Sequence, residues 1–330
     1  MEKSHSQKFS KAQEILRRYG LAIAFVGPYL LFFIFFSVVP LFMGIIISFM
    51  NYNPYDLGSS SFAGFDNYVN LFKSGSAIST LFWPAFGKTL LFDIVAVPCL
   101  IIVPLLFAIL INKKPPLYKL FRAILYLPAV TSITVVGIIF GSIFASDKSG
   151  LLNSLLGTNI DFLGNETSRW IIILLVSIWW QTGQNFVILS AALRDVPKSL
   201  YEACEMDGGG KFSQFMKVTL PNIKGSLQLC MFTTLIGYMG LYGQPYTLFG
   251  TTNKPTLTNP QTPMILIQTF ISSTAFASKT GAISALAVFF GLFVMLFSLI
   301  QRVVMKDRKG GNTREKQFNA LALIEERKTN

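Results

Sequence analysis

Long apolar runs dominate this sequence and limit what it can fold into. Six of them match the length of an apolar helix of about 20 residues, which is enough to cross the hydrocarbon core of a bilayer. The runs are roughly Leu21–Met50, Phe86–Ile111, Ala123–Ala145, Trp170–Leu193, Leu227–Phe249 and Ala282–Val304. Only 13% of the 330 residues are charged, against about 25% in soluble domains, so lipid must solvate much of the surface. The sequence therefore predicts an all-α, polytopic membrane protein with six transmembrane helices.

Two of the runs have features that bear on how they sit in the membrane. The first contains Pro28 and Pro40 and is far longer than the core of a signal peptide, which has roughly 7–15 residues. Prolines are tolerated in membrane helices because neighbouring groups re-satisfy the freed carbonyls. We therefore expect this run to be retained as the first transmembrane helix. The fifth run carries more polar residues than the others and is the least typical of a lipid-facing helix.

The segments that connect the runs alternate between strongly basic and nearly neutral. The leader, the second and fourth links and the start of the tail share one side of the membrane if there are six spans. Their basic residues include Lys113, Lys114, Lys119, Arg122, Arg194, Lys198, Lys211, Lys217, Lys224, Arg302 and Lys306. By the positive-inside rule, both termini and the fourth link are predicted to be cytoplasmic. The net charge of +12 then reflects membrane insertion rather than nucleic-acid binding.

The predicted domain organisation follows from this pattern. It consists of a basic cytoplasmic leader at 1–19, a transmembrane domain at 20–305 and a cytoplasmic tail at 306–330. A polar segment at about 194–224 interrupts the transmembrane domain between the fourth and fifth runs. Because two membrane helices can be joined by a much shorter loop, we expect the polar segment to present a rigid element to a partner in the water phase.

The polar segment is predicted to form two short helices separated by a glycine break. Asp195 is positioned to cap the first helix, with Pro197 in its first turn. Gly208 can adopt the positive φ that reverses the chain after a helix. Asp207 can then accept N–H groups at the start of the second helix. We expect Leu220–Pro221 to end that second helix, because the residue before a proline disfavours helical backbone.

The first of these helices is predicted to have two distinct faces. By their spacing, Leu200, Ala203 and Cys204 share an apolar face, and Glu202 and Glu205 lie on another.

Gly208–Lys211 looks like part of a phosphate-binding loop, but two required residues are missing. That motif needs a glycine where Glu205 stands and a serine or threonine where Phe212 stands. We therefore expect this chain to bind no nucleotide. If ATP drives its function, the ATPase is a separate polypeptide.

Residues with catalytic or metal-binding chemistry are sparse. The single histidine is His5, in the leader, and the cysteines Cys99, Cys204 and Cys230 lack metal-ligand spacing. The sequence therefore predicts no catalytic residues, no metal site and no cofactor.

The order and spacing of eight residues in the polar segment resemble a known motif. They are Tyr201, Glu202, Ala203, Asp207, Gly208, Phe215, Leu220 and Pro221. This pattern resembles the coupling loop of binding-protein-dependent ABC importer permeases of the carbohydrate branch, the maltose and glycerol-3-phosphate type. Further matching segments are Phe65–Phe72, Phe121–Pro128, Gly150–Asn153, Pro245 and Gly281–Ala285. The sequence departs from the family where Cys204 and Gly209 replace usual alanines and Lys88 replaces a usual asparagine.

The resemblance implies a set of partners and a membrane location. Such permeases work in pairs, so it implies a second, similar permease subunit, two copies of an ATPase subunit and an extracytoplasmic substrate-binding protein. It also implies that the helix at about Lys198–Met206 docks in a cleft of the ATPase, where Glu202 would meet donors. Asp207 and Gly208 would hold the shape of the segment. The protein would lie in the plasma or inner membrane of a prokaryote.

The fourth and fifth runs contain candidate residues for a carbohydrate pathway. Polar side chains at membrane depth are costly and therefore functional candidates, and sugars stack on flat aromatic faces. The candidates are Trp180, Gln181, Gln184, Asn185, Tyr238 and Tyr242. In the family, the corresponding regions line the sugar site. The alternative for the polar residues is hydrogen bonding that holds helices together.

Two other function classes are less well supported by the sequence. An ion- or proton-coupled secondary transporter would predict acids in several runs, whereas Asp93 is the acid available. We expect Asp93 and Lys88 to lie near the outer interface and reach towards water, rather than to form a proton relay. A membrane-embedded enzyme would need a cluster of acids, histidines or nucleophiles at depth, and the runs contain none.

Overall fold

The computed structural model is predominantly helical, in agreement with the predicted all-α class. The residues it describes are 20, 24–146, 148, 150–249, 261–272 and 278–305. The predicted leader at 1–19 and the predicted tail at 306–330 lie outside the described residues.

Helices follow one another along the chain, with one short β-hairpin between the first two. The helices are α1 (Ala24–Ser48), α2 (Asp66–Phe72), α3 (Ala77–Asn112), α4 (Tyr118–Tyr126), α5 (Ile133–Ile143), α6 (Leu151–Leu156), α7 (Glu166–Arg194), α8 (Lys198–Met206), α9 (Lys211–Gln214), α10 (Leu220–Asn222), α11 (Lys224–Met239), α12 (Gly243–Phe249), α13 (Pro263–Ser272) and α14 (Thr280–Met305). Shorter helical turns are the π-type turns Ile34–Val38 and Phe215–Thr219 and the 3-10 turns Leu57–Ser59 and Leu127–Val130. The hairpin pairs β1 (Met50–Asn51) antiparallel with β2 (Ser61–Phe62).

Four of these helices are long and apolar enough to cross a bilayer: α1, α3, α7 and α14. The segments Tyr118–Val130 and Ile133–Ile143 pass the same test together but are bent by 101° at the break between them. The described residues thus contain four candidate spans, or five if the bent pair is one span. This is a polytopic helical membrane protein, and the count of six spans stays a prediction.

The third apolar run is not a single straight helix, contrary to the sequence-based expectation. Pro128 lies in the 3-10 turn that follows α4, and Thr131 has extended backbone. Ser132 then caps α5, because its side chain accepts a hydrogen bond from the Thr134 N–H at 3.3 Å. A proline and a new N-cap within five residues end one helix and start another.

The fifth run is likewise divided. α11 ends at Met239 and α12 begins at Gly243, so neither helix alone is long enough to span a bilayer. The break exposes backbone groups that need partners, and the Thr262 hydroxyl donates to the Leu241 carbonyl at 2.6 Å. A side chain from beyond the break thereby replaces a helical hydrogen bond.

The chain divides into two compact units, and the first contains residues up to Thr80 together with Ile267–Phe290. Asn67 organises its hairpin region, since its side-chain amide donates to the carbonyls of Ser48 and Met50, each at 3.0 Å. Any Cβ at Gly281 would overlap the Met50 carbonyl oxygen. Asn67 and Gly281 both belong to motifs that matched the family pattern, and both have a structural role here.

The second unit contains Leu81–Leu266 and the chain from Gly291 onward. A loop between α5 and α7 is organised by Asn153, whose side chain donates to the carbonyls of Ala145 and Ile160 at 3.1 and 2.9 Å and accepts from the Ile160 N–H at 2.9 Å. This asparagine explains the Gly150–Asn153 motif as a loop-forming element.

Helix α7 is the central element of the second unit. It contributes buried residues to two hydrophobic clusters, one containing Ile173 and Val176 and the other containing Phe186 and Leu189. Between these clusters, Gly183 packs against α4 so closely that a Cβ would lie 2.6 Å from the Leu125 carbonyl oxygen. The absence of a side chain at this position is therefore what allows α7 and α4 to approach.

We expect Gly183→Ala to destabilise the protein by about 1–3 kcal/mol, because the added methyl group would push against rigid backbone. The matched control is Gly291→Ala in α14, where a Cβ would meet no atom within 4 Å. That change should be neutral or stabilising, because alanine is the better helix former. Thermal unfolding of the detergent-purified variants measures both effects. Equal melting temperatures for Gly183→Ala and wild type would contradict the packing described here.

Candidate functional site

The first helix of the polar segment begins differently from the prediction. Asp195 is the C-terminal cap of α7, and the residue that precedes α8 is Pro197, which has extended backbone and makes no side-chain capping bond. The predicted capping role of Asp195 is therefore wrong. Proline can occupy this position because its missing N–H would have no helical partner at the start of a helix.

The predicted reversal at Gly208 is confirmed, since its φ is +77°. The N–H groups of Gly208 and Gly209 donate to the carbonyls of Glu205 and Cys204 at 2.9 and 2.8 Å, which satisfies carbonyls at the end of α8. A Cβ at Gly209 would lie 2.6 Å from the Cys204 Sγ and 2.7 Å from its carbonyl oxygen. The two departures from the family pattern are therefore in contact, and a side chain at 209 would press on both the thiol and the backbone carbonyl of Cys204.

The second part of the polar segment is less regular than predicted. α9 has only four residues and continues into the π-type turn Phe215–Thr219 and then α10. Pro221 lies in the first turn of α10, and the helical path breaks two residues later at Ile223. The prediction that Leu220–Pro221 ends the helix is therefore wrong. A π-type turn just before a proline is compatible with the missing donor, because the hydrogen-bond register has already shifted.

One face of α8 packs onto the second hydrophobic cluster. Tyr201 and Cys204 lie against buried residues that include Val196 and Val218. In addition, the Tyr201 hydroxyl and the Thr219 hydroxyl are 3.0 Å apart and form a hydrogen bond. α8 is thus tied to the π-type turn by both packing and a polar contact, so the two parts form one body.

The opposite face of α8 is open to solvent. Leu200, Ala203 and Met206 are exposed at helical spacing, and Met206 is 88% exposed. Glu202 and Glu205 are exposed beside them. Leu200 and Ala203, predicted by spacing to share one face with Cys204, are exposed, whereas Cys204 packs against the second cluster. The exposed face of α8 thus combines apolar and acidic side chains.

Asp207 also differs from its predicted capping role. It is exposed, and its carboxylate makes no hydrogen bond within the part of the chain that the structure describes. Its backbone N–H instead donates to the Ala203 carbonyl at 3.1 Å. The helix end is therefore held by backbone groups rather than by this side chain.

A polar pocket of about 330 Å³ lies within the second unit, where α7 meets the broken fifth run. Five of the six residues predicted for the substrate pathway line it: Trp180, Gln181, Gln184, Tyr238 and Tyr242. The remaining lining residues are Ile133, Thr233, Thr234, Gly237, Gly240, Leu241, Gly243 and Gln244.

The aromatic and amide groups of the polar pocket are held in place by neighbours. The Trp180 indole N–H donates to the Thr131 carbonyl at 3.1 Å, which is one of the groups freed by the break before α5. The Gln181 side chain donates to the Gln184 side chain at 3.2 Å. The Tyr242 ring stacks on Tyr246 with a centroid distance of 4.9 Å.

Asn185, the sixth predicted pathway residue, does not line the polar pocket. It is fully buried, and its amide donates to the Leu100 carbonyl at 2.8 Å and to the Thr234 hydroxyl at 3.1 Å. These bonds connect α7 to both α3 and α11. For this residue the alternative of helix-to-helix hydrogen bonding describes the structure.

The pocket is also lined by Thr233 and Thr234, two residues that the sequence reasoning had not identified. The signal that could have found them is their spacing with Gly237, Tyr238 and Leu241, which places polar and small residues on one face of an apolar helix.

Asp93 is buried rather than near an aqueous interface, so the expectation that it reaches towards water is wrong. It is 5% exposed, and neither of its carboxyl oxygens has a hydrogen-bond partner among the described residues. The ring of its neighbour Phe92 lies 6.3 Å from the Tyr238 ring, measured between centroids. Lys88 lies about one and a half helical turns from Asp93, on another face of the same helix. Its side chain is half-exposed and forms an ion pair with Glu166 at 2.6 Å.

Comparison with known proteins identifies the class. The family described as binding-protein-dependent transport system inner membrane component matches residues 90–309, more than half of the chain. The chain belongs to this family and is a membrane component of an ABC transporter.

Individual relatives agree with this assignment. A probable ABC transporter permease protein, YurN of Bacillus subtilis (strain 168), is 28% identical over 86% of this chain and 97% of its own length. The arabinooligosaccharides transport system permease protein AraP of the same organism is 32% identical over 68% of this chain and 71% of its own length. The lactose transport system permease protein LacF of Rhizobium radiobacter is 27% identical over 86% of this chain and 94% of its own length. These relatives are permeases, so the chain is a transport subunit and not an enzyme.

The fold is also found among solved structures. A chain of a bacterial ABC transporter involved in the import of the acidic polysaccharide alginate superposes with a TM-score of 0.70, covering 91% of this chain and all of that one at 21% identity. A chain of the bacterial alginate ABC transporter in complex with an alginate pentasaccharide-bound periplasmic protein gives a TM-score of 0.72 at 21% identity, covering 89% and 96%.

Gln184 lines the pocket, whereas its neighbour Asn185 holds helices together by hydrogen bonds, and substitution of each residue tests this difference. Asn185→Ala should destabilise the protein by about 1–3 kcal/mol, because it leaves the buried Leu100 carbonyl without its donor. Gln184→Ala, at an exposed neighbouring position in the pocket, should leave the unfolding temperature unchanged. Thermal unfolding in detergent measures both. If the two variants melted alike, the packing role assigned to Asn185 would be incorrect.

Proposed function

We propose that this chain is the permease subunit of an ATP-driven importer that passes a sugar or oligosaccharide from an external binding protein into the cytoplasm. The observation that carries the proposal is the polar segment, a rigid body with one packed face and one exposed face, within a chain of the permease family. The relatives named for arabinooligosaccharides and lactose support a carbohydrate substrate.

The polar pocket supports the same substrate class. Trp180 and Tyr242 offer aromatic faces, and Gln181, Gln184 and Gln244 offer amide groups that both donate and accept hydrogen bonds. Hydroxyl groups of a sugar need both kinds of partner. We infer that Trp180, Gln181, Gln184, Tyr238 and Tyr242 belong to the substrate pathway, and that Asn185 supports it from behind.

The polar segment is proposed to act as the coupling loop. In this role the exposed face of α8 docks in a cleft of an ATPase subunit, with Glu202 near basic or backbone donors and Leu200, Ala203 and Met206 against apolar surface. The hydrogen bond between Tyr201 and Thr219 and the packing of Phe215 support movement of the segment as one body. Closure of the ATPase would then be passed to the transmembrane helices as a rigid-body motion.

The proposed assembly contains a second, similar permease subunit, two copies of the ATPase subunit and the extracytoplasmic binding protein. The chain would lie in the plasma or inner membrane of a prokaryote, with both termini and the polar segment in the cytoplasm. The distribution of basic residues supports this orientation. A secondary transporter would have no use for an exposed docking face on α8, so we do not favour that alternative.

The proposed function is tested by reconstitution. The chain purified alone should hydrolyse no ATP. Proteoliposomes that contain the chain with the ATPase, second permease and binding protein encoded beside its gene should take up radiolabelled oligosaccharide only when ATP is enclosed. Uptake that persists without ATP and follows an ion gradient would instead favour the secondary transporter.

The docking role of α8 is tested by charge reversal. Glu202→Lys should abolish co-purification of the ATPase subunit, because it reverses the charge in the middle of the exposed face, while membrane insertion stays intact. Asp56→Lys is the matched control, since Asp56 is exposed in the link between the first two runs, on the side predicted to face away from the cytoplasm. The ATPase subunit should co-purify with the Asp56→Lys variant as it does with wild type. Retention of the ATPase by Glu202→Lys would count heavily against the docking role.

A further inference from the structure

The lining of the polar pocket contains no formal charge. Among the described residues that form it, the side chains are amides, hydroxyls, aromatic rings and aliphatic groups, without a lysine, arginine, aspartate or glutamate. A pocket within a membrane domain that recognises a carboxylate must offset the cost of taking that charge out of water, and a cation is the group that does so most strongly. The lining residues that the structure describes supply no cation.

The uncharged groups of the pocket are instead suited to hydroxyl-rich ligands. The Gln181 side chain donates one hydrogen bond to the Gln184 side chain at 3.2 Å. Because each amide has two N–H donors and an oxygen with two acceptor sites, both side chains keep donors and acceptors for a ligand. The Trp180 N–H is already used by the Thr131 carbonyl at 3.1 Å. What Trp180 still offers a ligand is therefore its ring face, which binds apolar sugar faces without regard to charge.

A buried acid lies near the lining. Asp93 directly follows Phe92, whose ring centroid lies 6.3 Å from that of Tyr238 in the pocket wall. An ionised aspartate repels an anionic ligand and supplies none of the attraction that a cation would. The ammonium group of Lys88 is engaged with Glu166 at 2.6 Å, and neither residue lines the polar pocket.

The fold by itself does not decide the charge of the substrate. The solved alginate importer shares this fold, and alginate is an acidic polysaccharide. At 21% identity, what the two chains are shown to share is an architecture. Within the membrane domain, selection between neutral and acidic saccharides must then come from the side chains that face the pathway.

We propose that the polar pocket of this chain accepts uncharged saccharides and discriminates against uronic-acid saccharides, because its lining supplies hydroxyl and amide partners but no cation. This inference rests on the proposed function and narrows its substrate class. It also predicts that one cation placed in the lining is enough to admit a carboxylate.

The test measures direct binding, so that the external binding protein does not select the ligand first. The full-length chain is purified in detergent with the subunits that co-purify, and tryptophan fluorescence is titrated with neutral maltotriose and arabinotriose and with acidic trigalacturonate. We expect the better neutral probe to bind at least about tenfold more tightly than trigalacturonate, which corresponds to about 1.4 kcal/mol.

Variants at Gln184 extend the test, because this side chain is exposed in the pocket and has room for a longer one. Gln184→Lys should tighten trigalacturonate binding by about tenfold or more. Gln184→Glu, which keeps the size of the glutamine side chain, should not tighten trigalacturonate binding. Asp56→Lys adds a lysine outside the pocket and should leave trigalacturonate binding as in wild type. A monodisperse size-exclusion profile shows that each variant is folded.

The possible results separate this inference from the proposed function. If trigalacturonate binds wild type as tightly as the neutral probes, or if Gln184→Lys does not improve its binding, the inference is overturned while the importer function stands. If no saccharide of either kind binds wild type or Gln184→Lys, both the carbohydrate function and the inference are overturned.

Discussion

Every backbone N–H and carbonyl within a bilayer needs an internal partner, and the second unit of this protein is organised around that requirement. Two predicted spans are broken, and a side chain satisfies a freed carbonyl at each break: Trp180 donates to Thr131, and Thr262 donates to Leu241. These breaks also create the polar pocket, because the residues beside them line it. The same hydrogen bonds that make an irregular backbone tolerable therefore fix the position of an aromatic ring in the candidate pathway.

Helix α7 links this pocket to the polar segment. It carries Gln184 in the pocket, and at its C-terminal end it leads directly into α8 after three residues. The second hydrophobic cluster packs α7 against the polar segment through buried Leu189, Val196 and Val218. A displacement of α8 would thus be passed to the pocket through packed side chains and one continuous helix, which is the physical requirement for coupling between distant sites.

Parts of the site were accessible from the sequence because they depend on local chemistry. The positive φ of Gly208 follows from a glycine placed just after a helix, and the polar residues of α7 stand out in an apolar run. The capping role given to Asp195 failed because Pro197, two residues later, fixes where α8 starts. Leu200 and Ala203 are exposed while Cys204 beside them is packed, because periodicity groups residues on a face without showing which neighbour covers it. Asn185 and Gln184 are adjacent, and only the packing of α3 and α11 separates a structural role from an exposed one.

Local pattern was enough to predict a helical membrane protein, the class of permease that it resembles and the position of its polar segment. These properties follow from apolar run length, the positions of charged side chains and the spacing of a few residues along one chain. The places where the spans break and the open face of α8 depend on packing, which also brings residues of α7, α11 and α12 around one pocket. Those features depend on contacts between residues far apart in sequence, and a single sequence does not specify such contacts by its local pattern.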